Sequence, residues 1–120
     1  MPRFVLLEHT GAPDDPHGCH YDLLLENGDT CQTWRLGYPP VVGAAPQIVM
    51  PLPPHHLAWL DRTIAKVSGG RGYVRRVLEG QFNTSLPIST GCHLRLPLSG
   101  PDLNGILTID GNRLQILPST

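Results

Sequence analysis

The chain is poor in charge, in aromatics and in cysteine. Of its 120 residues only 16% are charged and 6% aromatic, and the formal net charge is −1. A near-neutral balance excludes bulk electrostatic attraction to a polyanion as the main basis of action. The low charged fraction, beside a hydrophobic content of 40%, excludes a disordered chain and fits a globular one. Cys19, Cys31 and Cys92 are an odd number without CxxC spacing. That argues against a disulfide framework and against a zinc ribbon, and it reads as reduced thiols. Cys19 adjoins His20, yet free cysteine is most often simply core. No apolar run approaches the ~20 residues of a membrane helix. Met1-Pro2-Arg3-Phe4 leads straight into strand-like sequence with no signal-peptide profile. The expectation is a cytoplasmic protein with no membrane partner.

What the chain has in quantity is punctuation: 13 Gly and 13 Pro. Long helices are disfavoured, and many short strands joined by turns are favoured. Arg3 to His9 (RFVLLEH) and Cys19 to Glu26 (CHYDLLLE) read as strands, separated by the turn-rich loop Thr10 to Gly18. Asn27-Gly28-Asp29 signals a hairpin returning through Thr30 to Leu36, and Asp110-Gly111-Asn112 signals another. Gln47 to Met50 reads as a short strand, and Pro51 to Pro54 as a break. Tyr73 to Leu78, Cys92 to Leu98, Ile106 to Asp110 and Leu114 to Leu117 complete the strands. Leu57, Leu60, Ile64 and Val67 recur at helical spacing, which predicts one short helix over His55 to Val67 with Pro54 in its first turn. No repeat or linker divides the chain, so residues 1–120 are expected to form a single mainly β domain, a small barrel or sandwich.

Charge is unevenly placed. Glu8, Asp14, Asp15, Asp22, Glu26 and Asp29 crowd the N-terminal quarter, whereas Arg62, Lys66, Arg71, Arg75, Arg76 and Arg95 dominate the later half. Either the fold carries an acidic, metal-attracting pole and a basic, phosphate-attracting one, or this is ordinary surface charge.

Side chains alternate faces along a strand. His20, Asp22, Leu24 and Glu26 therefore share one face, and Tyr21, Leu23 and Leu25 share the other, against a core. If the first strand neighbours the second, His9 completes a His-His-Asp set. Three ligands on one side of an ion leave positions open to substrate, a catalytic rather than structural arrangement. Mixed imidazole and carboxylate donors suit Mn²⁺, Fe²⁺ or Zn²⁺. Glu26 or Glu8 is placed to orient a ligand from behind. Alone, His-x-Asp is a weak motif whose alternative is a solvated strand face.

Read together, the segments FVLLEH, HYDLLLE and TW resemble the start of the 3′-phosphoesterase domain of bacterial DNA ligase D. The matching residues are His9, His20-Tyr21-Asp22, Leu25-Glu26 and Trp34. His55 and Trp59 fit a later His and an aromatic four residues on, where the family usually has Tyr. Gly69-Gly70-Arg71-Gly72-Tyr73-Val74 and Leu103-Asn104-Gly105 fit its Gly-rich stretch and final strand pair. The resemblance implies a small closed or partly open β-barrel with one or two short flanking helices. It implies removal of 3′-terminal phosphates or ribonucleotides from nucleic-acid ends, beside ligase or polymerase repair proteins. It gives the metal to His9, His20 and Asp22, with Mn²⁺ the expected ion and Zn²⁺ the alternative. It gives phosphate contact or acid-base work to His55, with His56 the other choice in the doublet. Where the family has an Arg two residues after the Asp, this chain has Leu24; Leu7 stands for a Gln, and Pro53-Pro54 for an acidic pair. Arg35, Arg71 or Arg75 is then needed for the missing charge, and Arg35 and Arg71 join His55 as the expected catalytic set. The alternative is a noncatalytic module that binds metal or DNA ends and has lost the phosphate-gripping arginine.

Overall fold

The computed structural model describes residues 1–83 and 93–119. They form one sheet of 10 strands. In chain order these are β1 (Arg3–Thr10), β2 (Cys19–Asn27), β3 (Thr30–Leu36), β4 (Gln47–Ile48) and β5 (Met50–His56). A 3₁₀ turn (Leu57–Leu60) follows, and then β6 (Ile64–Lys66), β7 (Tyr73–Phe82), β8 (Leu94–Ser99), β9 (Gly105–Asp110) and β10 (Arg113–Leu117). The spatial order is β4-β10-β9-β8-β7-β1-β2-β3-β5, with β6 added to β7. Every ladder is antiparallel.

The sheet is a partly open barrel. Its two outermost strands, β4 and β5, are consecutive in sequence and separated by Val49 alone. No ladder pairs them among the described residues, so the chain itself joins the two edges. Val49 is buried and its N–H donates to the Asn112 carbonyl at 2.7 Å, which holds the junction against the β9–β10 turn. Both expected hairpins form. Asn27 pairs with Thr30, and Asp110 with Arg113. In the first, Gly28 takes φ +66°, a conformation that a tight turn demands and that a side chain disfavours.

Alternation sorts the apolar residues into two cores. Phe4, Leu6, Leu23, Leu25, Trp34 and Leu36 fill the concave interior with Phe82 and the β8–β10 residues. Val5, Leu7, Leu24 and Cys31 point to the opposite face, where Leu60, Val67 and Val74 cover them. The strands β1 and β2 are thus buried on both faces, which accounts for the unbroken apolar runs VLL and LLL.

Several expectations need correction. No helix spans His55 to Val67. His55 and His56 pair with Cys31 and Thr30 as the end of β5, and only one 3₁₀ turn intervenes before β6 pairs with β7. The helical spacing was coincidental: Leu60 and Val67 are buried in the second core, but Ile64 is 73% exposed on a strand. Pro51 to Pro54 does not break the chain either. Those prolines lie within β5, which pairs with β3 alone in the described sheet, and an edge strand tolerates a missing N–H. The strand read over Gln47 to Met50 splits at Val49, and β7 runs on to Phe82. Cys92, the start of the strand read to Leu98, lies outside the described residues; that strand is described from Leu94.

Candidate metal centre

The β1–β2 ladder sets His9 directly opposite His20, and Leu7 opposite Asp22. Directly paired residues share a face and sit close. The two imidazole centroids are 4.8 Å apart at 63°. Asp22 Oδ2 lies 3.9 Å from His9 Nδ1, and its Oδ1 lies 3.6 Å from His20 Nε2. One donor atom from each of the three residues falls within 4.8 Å of the other two. The structure thus brings together the three residues that the sequence singled out.

The backing contacts fix which nitrogens face inward. His20 Nδ1 lies 2.9 Å from Asp15 Oδ2 and donates its proton there, since the carboxylate only accepts. His9 Nε2 lies 2.7 Å from the Arg71 carbonyl and likewise donates. In the neutral imidazoles both protons are thus spent outward, leaving His20 Nε2 and His9 Nδ1 on the side of Asp22 to act as donors to an ion. Such outward bonds are the usual means of setting a metal-ligating histidine.

His20 and Asp22 are buried, and among the described residues His20 Nε2 and Asp22 Oδ1 have no hydrogen-bond partner. Leaving such atoms unpaired costs about 1–3 kcal/mol each. A divalent cation would satisfy both together, with Asp14, Asp15 and Asp22 as nearby negative charge beside the Arg35 guanidinium. The donor set fits an ion of the Mn²⁺, Fe²⁺ or Zn²⁺ type. The Asp22 carboxylate raises the His20 pKa above its usual range, Asp15 adds to this, and burial opposes it. The His20 hydrogen bond holds the Asp15 carboxyl below the usual carboxylate range.

The loops that supply these contacts follow from the chain's small residues. Gly72 adopts φ +91°, and a Cβ there would run into the Thr10 carbonyl oxygen and the Gly11 backbone. Only glycine lets the 68–72 loop lie this close to the end of β1, and that closeness brings the Arg71 carbonyl to His9. In the β1–β2 loop, Asp15 is pinned by its own turn. Its N–H donates to Ala12, its carbonyl accepts from Gly18, and its Oδ1 accepts from the His17 N–H.

A cleft of about 580 Å³ opens over this group, within the range of small-ligand sites. His9, Asp22 and Arg35 lie at its base, and Leu52, Trp59 and Val74 are among its apolar walls. Arg35 pairs with Asp22 across β2–β3 and so leaves the same face. His55 and His56 both line the cleft; the His55 Nδ1–H donates to the Pro53 carbonyl at 3.1 Å. Arg71 also lines it, but its guanidinium is folded onto Ser68 by bonds of 2.7 and 3.1 Å. Arg75 turns instead to Glu8, 3.3 Å away.

Two residues expected to orient a ligand do not. Glu26 accepts from the Arg3 N–H, and Glu8 contacts Tyr21 and Arg75. The orienting carboxylate is Asp15, which the sequence presented only as one member of a turn-forming Asp pair. Its sole signal was its place in a loop that must return His20 to face His9. Leu24, at the position of the resemblance's arginine, is fully buried in the second core.

The fold and the site together define a mainly β domain with a candidate two-histidine, one-aspartate metal centre. The chain matches no protein-family model and no curated protein sequence. No described helix is long and apolar enough to cross a membrane.

Proposed function

We propose that this chain is a divalent-metal-dependent phosphoesterase-like domain that processes 3′ ends of DNA or RNA-tailed DNA. The observation that carries the reading is the convergence of His9, His20 and Asp22 with both imidazoles oriented from behind, beside a cleft that His9, Asp22, Arg35 and Arg71 line. The sequence resemblance to the ligase D 3′-phosphoesterase domain supplies the substrate class.

His9, His20 and Asp22 would hold the ion, Mn²⁺ first and Zn²⁺ second. A divalent ion there supplies charge neutralisation and Lewis acidity to a phosphoryl group. The remaining work falls to the chain. Asp15 and the Arg71 carbonyl each accept the outer N–H of an imidazole and so aim the inner nitrogen at the ion. His55, held through Nδ1–H, has Nε2 left at the cleft wall to take up a proton from solvent and, as the imidazolium, deliver it to a leaving oxygen. The apolar walls restrict water around the reacting group and strengthen its electrostatic contacts. A cytoplasmic setting, where the thiols of Cys19 and Cys31 stay reduced, suits this reading.

The test is stoichiometric Mn²⁺ or Zn²⁺ binding by calorimetry, together with release of phosphate or nucleoside from 3′-phosphate and 3′-ribonucleotide primers. Metal-loaded protein that leaves every such end untouched sinks the reading. The burial of Leu24 favours a second one, a noncatalytic module that docks on DNA ends. It gives salt-sensitive DNA binding without turnover, because phosphate contacts release counterions.

A further inference from the structure

Arg35 is held in an unfinished state. Its side chain is 24% exposed, and its Nε is buried with no hydrogen-bond partner among the described residues. Among the described residues its one ion pair is with Asp14, at 3.7 Å, and the Asp14 side chain is 70% exposed. A charge-assisted hydrogen bond would close to about 2.7–2.9 Å, so this pair is loose. The other basic groups near the cleft are occupied. Arg71 is bound to Ser68, Arg75 to Glu8, and the Arg62 guanidinium lies 4.3 Å over the Trp59 ring. The guanidinium that lacks a close acceptor is thus the one whose strand position is paired with Asp22.

Asp14 is built to let go. Its neighbour Asp15 is fixed to His20, Ala12, His17 and Gly18, so the loop is anchored one residue away. Asp14 can leave Arg35 by turning its own side chain into solvent, without moving the carboxylate that orients His20.

We infer that Arg35 is the group that grips the oxygens of a tetrahedral dianion in this cleft, and that Asp14 is the resident counter-ion which the dianion displaces. The inference rests on the phosphoesterase reading for naming the dianion a phosphoryl group, and it names the residue that sets that specificity. A planar fork takes two phosphoryl oxygens at once, which an ammonium does not. Arg35 thereby supplies from β3 the charge that Leu24 does not supply from β2.

The test is calorimetric titration of the full chain with inorganic phosphate, first in EDTA and then with one equivalent of Mn²⁺. Phosphate binds in at least one condition. In that condition Arg35→Gln weakens it at least about tenfold, as expected for a lost bond to a charged group. Arg35→Lys weakens it less, and Asp14→Asn tightens it by removing the internal competitor. Circular dichroism checks that each variant is folded, and Asp14→Asn decides the matter should Arg35→Gln fail to fold. Absence of phosphate binding in both conditions, wild-type affinity in folded Arg35→Gln, or unchanged affinity in Asp14→Asn overturns the inference. The readout needs no turnover, so the two readings fail separately. Arg35-dependent phosphate binding with inert 3′ ends sinks only the enzyme. Processed 3′ ends with phosphate binding indifferent to Arg35 and Asp14 sink only this assignment.

Discussion

Asp15 touches none of the atoms that face the centre, yet it decides which nitrogen of His20 does. Asp15→Asn exchanges the accepting carboxylate for an amide that can present either group to Nδ1. Mn²⁺ affinity by calorimetry should fall about 10–100-fold, the usual effect of losing such a partner, with little change in fold. The raised His20 pKa sets two pH trends of opposite sign. In EDTA, the charged imidazole stabilises the fold fully below the unfolded value of about 6.5. That contribution is lost as pH rises through the higher folded value, so the melting temperature should fall across that window. Ion affinity runs the other way, because the proton and the ion compete for Nε2: it should weaken as pH falls through the same raised pKa. A flat affinity between pH 6 and 8 would contradict the assignment of His20 as ligand. His20 and Asp22 were legible because strand alternation puts i and i+2 on one face, and His9 joined them only on the assumption that β1 neighbours β2. Asp15 was not, because its role depends on the path of a loop whose sequence, Pro-Asp-Asp-Pro, encodes only that it turns.

At the level of elements, two loops and one edge strand control the centre. Gly72 matters most among the loop residues. Gly72→Ala adds a Cβ where the Thr10 carbonyl already sits and forces φ +91° on a residue with a side chain. A loss of roughly 1–3 kcal/mol is expected in urea unfolding. Ion affinity should fall with it, since the Arg71 carbonyl can no longer reach His9. Restoring the arginine of the resemblance by Leu24→Arg should not restore grip. Leu24 is enclosed by the second core, and an unpaired charge there should cost roughly 3–5 kcal/mol and show as unfolding rather than activity. The strands themselves were largely readable from alternation and Asn-Gly or Asp-Gly turns. The segment after Pro54 was not, because its apolar spacing served two elements at once. Leu57 and Leu60 pack from a 3₁₀ turn and Val67 from beyond β6, while Ile64 faces solvent. Burial, not period, is what separates these.

Across the whole molecule, stability is divided between two faces of one sheet. The larger interior core should dominate. Phe82→Ala, which empties a fully buried site there, is expected to cost about 3–5 kcal/mol by denaturant titration. The smaller core carries Cys31, whose thiol burial pushes its pKa up to about 11. Native protein should therefore resist iodoacetamide at Cys31 and react there only after unfolding, which mass spectrometry can follow. One described ion pair, Glu8 with Arg75, joins the acidic N-terminal residues to the later basic ones. That pairing could not be read from order along the chain, since it depends on β1 lying beside β7.

The central place of β1 has a temporal consequence. During synthesis β1, β2 and β3 emerge first and can pair as a meander, which already sets His9 opposite His20 and near Asp22. The strand β7 and the carbonyl that aims His9 emerge some forty residues after β2 is complete. Pairings so distant in sequence form late. A nascent chain thus holds its three candidate ligands with His9 not yet aimed until the other neighbour of β1 arrives, and full affinity for an ion should come only with finished folding.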